Sequence, residues 1–167
     1  MIGPLETADV EAAGELAFAA WDSLEGQPDA ARGYMASASK VQADVAERLA
    51  TSVMLGAWLG DRLCGVVNFS NGPDDPYAEF TDTDAAGIRM LAVGLDARGL
   101  GVGAALIQAC IERARSEGKA RLVLHTSPWM HAARRVYERL SFRRAPERDF
   151  SPHPEVLLLG YTLDLTT

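Results

Sequence analysis

The run Arg98-Gly99-Leu100-Gly101-Val102-Gly103-Ala104 has the residue types and the spacing to hold a phosphate. It follows an apolar stretch, Ile88 to Val93, and opens a helical pattern carried by Leu106, Ile107, Cys110 and Ile111. A strand that passes through glycines into a helix start leaves several backbone N–H groups without partners, with the helix dipole positive at the same point. Glycine lets an anion approach the backbone with no Cβ in the way. A P-loop is excluded, because Ala104 and Ala105 follow Gly103 where Gly-Lys-Ser/Thr is needed. The dinucleotide fingerprint fits as Gly99-x-Gly101-x-x-Ala104, but it also needs an acid about 20 residues on. The next apolar run, Leu122-Val123-Leu124, ends in His125-Thr126-Ser127, with no acid before Glu138. A plain glycine-rich turn is the remaining reading of these residues taken alone.

A second constellation lies downstream, at Ala133-x-x-Val136-Tyr137-Glu138-Arg139-Leu140-Ser141-Phe142. With Arg98-x-x-Gly101-x-Gly103 and the preceding Leu91-Ala92-Val93, it resembles the two landmarks of the GNAT superfamily of acyl-CoA N-acyltransferases. Those landmarks are Arg-x-x-Gly-x-Gly/Ala and Ala-x-x-Leu-Tyr-Glu-x-x-Gly-Phe. Their separation is the usual one, so the resemblance covers nearly the whole chain. It implies a single N-acetyltransferase domain over 1–167, of α/β class. The expected sheet is mixed and mostly antiparallel, with a splayed parallel pair at the cofactor site and flanking helices.

The resemblance also implies acetyl-CoA as co-substrate, no metal, and direct attack of an amine on the thioester. The pyrophosphate would lie on the backbone of Arg98, Gly99, Leu100, Gly101, Val102, Gly103 and Ala104, with the Arg98 side chain adding charge. The thioester oxygen would meet a backbone N–H of Leu91, Ala92 or Val93, and Met130 and Ala133 would follow the cofactor. Tyr137 would be the general acid for the leaving thiolate, a role worth about 10²–10⁴ in rate. Against this, Trp129, Ala133, Val136, Tyr137 and Leu140 form an apolar stripe at helical spacing, which alone makes Tyr137 a core residue.

The acceptor must lose a proton, since an amine of pKa about 10.4 is almost entirely charged at neutral pH. Asp74, Asp75, Glu79, Asp82 and Asp84 crowd one loop, with no Lys or Arg between Arg62 and Arg89. That loop is expected to attract a cation and to supply a base, Glu79; it equally fits an ordinary solvated loop. Many chains of the resembled family carry a Glu two residues before Arg89, where Gly87 stands here. Met130 replaces a frequent Asn, and Ser141 replaces a Gly whose φ is often positive, at a cost of about 1 kcal/mol. The expected acceptor is a small cationic amine or a protein N-terminus. A CoA-binding module without turnover is the rival reading, and a nucleotide-dependent oxidoreductase a weaker one.

The bulk numbers agree with a small enzyme. At 167 residues and 48% hydrophobic, the chain is long enough for one sizeable core. Its apolar runs are too short to span a membrane, and Glu6 and Asp9 interrupt any leader pattern, so a cytoplasmic location is expected. Cys64 and Cys110 read as buried small hydrophobes, and His125, His131 and His153 lack metal-site spacing. Net charge is −7, which argues against nucleic acid as partner. Residues 1–86 hold 4 basic and 15 acidic side chains, and residues 87–167 hold 12 and 8. That asymmetry suits a cationic acceptor and a polyanionic donor. Only Lys40 and Lys119 are lysines against many arginines, which points to a bacterial source; a homodimer is compatible with all of this.

The elements that must position these groups can be read in order. Ile2–Leu5 forms a short strand, and Thr7 or Asp9 caps a helix to about Trp21. Residues 22–40 form a loop with a broken helix, followed by a helix over 41–50. Val53–Leu59 and Arg62–Phe69 pair as a hairpin through Gly60-Asp61. A strand over 87–94, a helix over 102–117 with Gly118 after its end, and a strand over 120–125 form a β-α-β unit. Ser127 as N-cap and Pro128 at the first helical position start the helix of Tyr137. Alternation from Leu157 to Leu165 marks a final strand with one buried face.

Overall fold

The structure, a computed structural model, describes residues 1–166. Its strands are β1 (Ile2–Pro4), β2 (Val53–Leu59), β3 (Arg62–Ser70), β4 (Ala85–Val93), β5 (Arg121–Thr126), β6 (Arg143–Arg144), β7 (Phe150–His153) and β8 (Val156–Asp164). The helices are α1 (Val10–Asp22), α2 (Asp29–Tyr34), α3 (Ala38–Thr51), α4 (Val102–Ser116) and α5 (His131–Arg139). The sheet order is β1-β2-β3-β4-β5-β8-β6, with β7 paired to β8. Only β4 and β5 run parallel, joined by α4 as their crossover.

Strand alternation sends neighbours to opposite layers. Met54, Val66 and Ala92 pack with Ala13, Ala17, Ala20, Val41 and Val45 of α1 and α3. Leu55, Val67 and Ile88 pack instead with Leu106, Ile107, Cys110 and Ile111 of α4 and with Tyr137 of α5. This period-two switch gives helices on both faces of one sheet. Both cysteines lie in that second layer, and burial pushes the Cys110 thiol up to about 12, far from a reactive thiolate.

The feature that makes a site is a fork. β4 and β5 pair only from Ala85↔Arg121 to Ile88↔Leu124. Beyond that, β4 is bent: Val66 faces Ala92 and Asn68 faces Arg89, so Val67 alone opposes both Met90 and Leu91. Met90 takes the left-handed conformation, φ 53°, within this bulge. β5 meanwhile continues to Thr126 along β8. Residues 89–93 are therefore left without a partner strand on the β5 side.

Several boundaries differ from the sequence reading. A 3-10 turn over Thr7–Asp9, closed by reciprocal Glu6 and Asp9 bonds, precedes α1. A distinct α2 fills part of 22–40, and α3 begins early because the Ser37 hydroxyl accepts from the Lys40 N–H. α5 begins at His131, not at Pro128: Met130 N–H donates to the Ser127 carbonyl at 3.0 Å, so Pro128 occupies a β-turn before the helix. β6 and β7 are additional short strands. Leu157 on β8 is exposed, while Tyr161 and Leu165 are buried, so the buried face covers only the later part of that strand. Ser141 does adopt positive φ, 70°, the strained geometry that its position suggested. Among the described residues, no helix is long and apolar enough to cross a membrane.

Candidate functional site

The glycine turn sits at the mouth of the fork. Gly99 and Gly101 both hold left-handed φ, 78° and 81°, and a Cβ built at either would meet nothing within 4 Å. Ala105 is the first residue of α4 to donate backward, to Gly101, which leaves the N–H groups of Gly101 to Ala104 without a partner in the chain. They face a cleft of about 430 Å³. Leu91, Ala92 and Val93 form one wall of it and Met130, Ala133 and Val136 another, so residues separated by some forty positions line one groove. The turn thus offers backbone donors from Gly101 to Ala104 and open space above Gly99 and Gly101, while the Leu100 N–H donates to Ala97 at 3.4 Å.

Two residues of the turn depart from expectation. The Arg98 guanidinium is turned toward the end of α1, where Nη2 donates to the Ala20 carbonyl at 3.1 Å and to Ser23 Oγ at 2.7 Å. It lines the cleft while tying α1 to the turn. Leu100 is 64% exposed and lies off the cleft wall, so its side chain is not brought to the site.

Tyr137 belongs to the core layer. Its ring is 4% exposed and packs obliquely against Phe142 and Tyr161, at 6.0 and 6.2 Å between centroids. It lies behind Ala133 and Val136, which take the cleft wall. Burial pushes the phenol above its ordinary pKa, with buried Cys110 acting in the same direction. The described side chains give its hydroxyl no hydrogen bond. It is also absent from the enclosed, unpartnered polar atoms, which are Ser70 Oγ, Tyr77 Oη, Arg113 Nε and Glu117 Oε2. Tyr137 itself lines neither the cleft nor the cavity beyond it, so the structure does not bring the expected acid to the wall of the site.

Beyond the fork the cleft continues into a second cavity of about 580 Å³, and the two share Trp21, Leu24 and Met130 as walls. Glu79 and Arg89 face this cavity as an ion pair. Glu79 Oε2 also lies 3.9 Å from Nδ1 of buried His125, whose Nε2 meets the Arg148 carbonyl at 2.8 Å. The missing strand carboxylate has a steric explanation. A Cβ at Gly87 would meet Phe80 Cε1 at 2.5 Å, so the loop ring occupies the space of a side chain there. Its neighbour Glu79 brings a carboxylate to the same place from the loop.

The acidic loop does not form an open negative field. Asp82 accepts from Arg148 through both oxygens, at 3.0 and 2.7 Å, and from Arg121 at 2.7 Å. Asp84 lies 3.6 Å from Arg121, Glu79 pairs with Arg89, and Asp75 accepts from Ser52 and from the Tyr77 N–H. Only Asp74 is exposed without such a bond among the described residues. The expected attraction of cations is thus reduced by Arg89 of β4, Arg121 of β5 and Arg148 of the segment before β7, which take up Glu79, Asp82 and Asp84. These bonds to Arg148 and Arg121 lower the Asp82 carboxyl to about 2. Because its folded pKa lies below the ordinary 3.8, this stabilisation is complete above that value and is lost as pH falls toward 2. Asp82→Asn is expected to lower the melting temperature at pH 7 and to lose less stability than wild type between pH 4 and 2. Equal acid sensitivity of the two proteins contradicts the assignment.

Arg48, Asp44, Trp129 and Phe150 also line the second cavity, and no spacing in the sequence announces them. They come from α3, the turn before α5, and β7, and only the fold brings them together.

Comparison with known proteins follows the same architecture. The model of the acetyltransferase (GNAT) family matches residues 17–142. No curated protein sequence matches the chain. Among solved structures, YncA of Salmonella typhimurium, described as a putative acetyltransferase with its cofactor acetyl-CoA, is 18% identical with a TM-score of 0.71. The match covers 100% of this chain and 94% of that one. A ribosomal-protein-alanine N-acetyltransferase from Brucella melitensis is also 18% identical, with TM-score 0.71 over 99% of each chain. PaiA N-acetyltransferase from Thermoplasma acidophilum, solved with coenzyme A, is 13% identical, with TM-score 0.70 over 96% of each. At these identities the likeness is one of fold.

Proposed function

The chain belongs to the GNAT acetyltransferase family of acyltransferases, and on that premise we propose that it transfers an acetyl group from acetyl-CoA to a primary amine by direct attack. The observation that carries this reading is the continuity of two cavities. A glycine cradle with unpartnered N–H groups opens along the forked strands into a second pocket that holds a carboxylate. Acetyl-CoA supplies an acetyl group activated as a thioester.

The chain's own groups then have distinct tasks. The N–H groups of Gly101 to Ala104 bind the pyrophosphate where the α4 dipole is positive. A backbone N–H of Leu91 or Val93, on the side of β4 that faces away from β3, orients the carbonyl and stabilises charge on its oxygen, an effect worth about 10²–10³ in rate. Glu79 accepts the proton of the incoming ammonium, directly or through one water. The Tyr137 hydroxyl donates the proton taken by the departing sulfur. Support for Glu79 is its place in the second cavity; support for Tyr137 is its position directly behind Ala133 and Val136 of the cleft wall. Its ion pair with Arg89 orients Glu79 for that task.

The test is release of free thiol from acetyl-CoA in the presence of a panel of primary amines, with the products identified by mass spectrometry. Amine-dependent release with an N-acetylated product is the expected result. Tight acetyl-CoA binding with no amine-dependent release across the panel would instead make the protein a CoA-binding module.

A further inference from the structure

We infer that the acceptor is a zwitterion of the apolar amino-acid class, its carboxylate held by Arg48 and Arg89 and its amine turned to Glu79. This rests on the acetyl-transfer reading above and names the substrate of the same site. Arg48 is only 6% exposed, yet it lines the acceptor cavity. Its Nε donates to Asp44 at 2.9 Å and its Nη1 to Asn68 Oδ1 at 2.7 Å, and its plane lies 4.0 Å over the Tyr77 ring. These contacts fix the guanidinium at the cavity wall and leave Nη2 without a bond among the described residues. Arg89 is similar: Nε faces Glu79 and Nη1 donates to the Tyr77 carbonyl at 3.3 Å, with no bond from Nη2. Two guanidinium groups thus present terminal N–H donors to one cavity. A buried, pre-oriented arginine fork matches a carboxylate in geometry as well as charge.

The charge inventory points the same way. Lys40, Arg48 and Arg89 line the cavity against Asp44 and Glu79, so one positive charge is left over. Lys40 Nζ donates only to the Gly33 carbonyl, at 2.9 Å. An acceptor carrying one carboxylate neutralises that excess, and burial makes such neutralisation valuable. A polyamine would bring a second ammonium against three cations. A peptide N-terminus presents an amide where the carboxylate would lie. Apart from Gln27, Tyr34 and Ser127 the remaining walls are apolar, with Trp21, Trp129, Met35 and Phe150 prominent among them, which selects a hydrophobic side chain over a charged one.

The experiment compares kcat/KM for leucine, leucinamide, 3-methylbutylamine, a leucyl dipeptide and spermidine, with acetyl-CoA saturating. Leucine is expected to exceed the amide and the decarboxylated amine by about 10–10²-fold, the value of a hydrogen-bonded charge pair. In Arg89→Gln and Arg48→Lys that ratio of acid to amide is expected to fall toward one, chiefly through KM for the acid. Arg89→Gln touches the less buried of the two arginines and keeps the test usable if Arg48→Lys does not fold. Equal rates for leucine and leucinamide in the wild type overturn the inference, as does a preference for the dipeptide or spermidine. A preference that survives both substitutions overturns the assignment to these arginines. Each of those outcomes leaves acetyl transfer standing; absence of turnover with every amine removes both.

Discussion

Tyr137→Phe is expected to lower kcat for amine acetylation by about 10²-fold, with little change in acetyl-CoA affinity or in melting temperature. The ring is the packed part of this residue, between Phe142 and Tyr161, and phenylalanine keeps it. Among the described residues the hydroxyl has no hydrogen-bond partner, so removing it costs the fold no hydrogen bond there. Its loss should therefore be felt only where the hydroxyl meets substrate. Burial raises the phenol's pKa above its ordinary value of 10.0, so the group remains protonated throughout the neutral and mildly alkaline range. A proton held there is available to a departing thiolate, and the alkaline limb of kcat should not fall below pH 9 on its account. A loss of less than a few-fold would return Tyr137 to a packing role alone.

Gly101→Ala is expected to weaken acetyl-CoA binding by about 10–10²-fold, corresponding to one or two charge-assisted hydrogen bonds lost at the pyrophosphate. The new Cβ projects into open space, so no atom of the chain is displaced. The left-handed φ of 81° adds strain of about 1 kcal/mol to the folded state, which calorimetry separates from the binding loss. Isothermal titration with acetyl-CoA and with NADH measures both claims. The wild type should bind the first and not the second, since no acid stands at the ribose position of the dinucleotide fingerprint. Unchanged affinity in Gly101→Ala contradicts the placement of the pyrophosphate on this turn.

What the sequence disclosed follows from how local the signals are. The glycine turn, the α4 pattern and the stripe through Tyr137 are encoded within single segments; α4 keeps its expected bounds within a residue, and α5 starts three residues after Pro128. The parallel pair around α4 could be read because a crossover of that length demands one. The fork was expected only through the family resemblance; the left-handed bulge at Met90 that bends β4 there has no signal in an apolar run. The acidic loop misled for a related reason. Its charges are dense in sequence, but Arg121 and Arg148 neutralise Asp82 from 39 and 66 residues away. Arg98 was expected to offer charge to a phosphate and instead also anchors the end of α1, a contact across 78 residues. The acceptor pocket has no local signature at all, because helices, loops and β7 each contribute a part.

The central claim is that acetyl-CoA lies along the forked strands with its pyrophosphate on the start of α4. Amide hydrogen exchange, measured with and without saturating acetyl-CoA, addresses it residue by residue. The N–H groups of Gly101 to Ala104, and those of Leu91 and Val93 on the open side of β4, are expected to exchange readily in the unliganded protein and to be protected on binding. Saturating acetyl-CoA that protects another surface and leaves both of these segments unchanged would contradict the account.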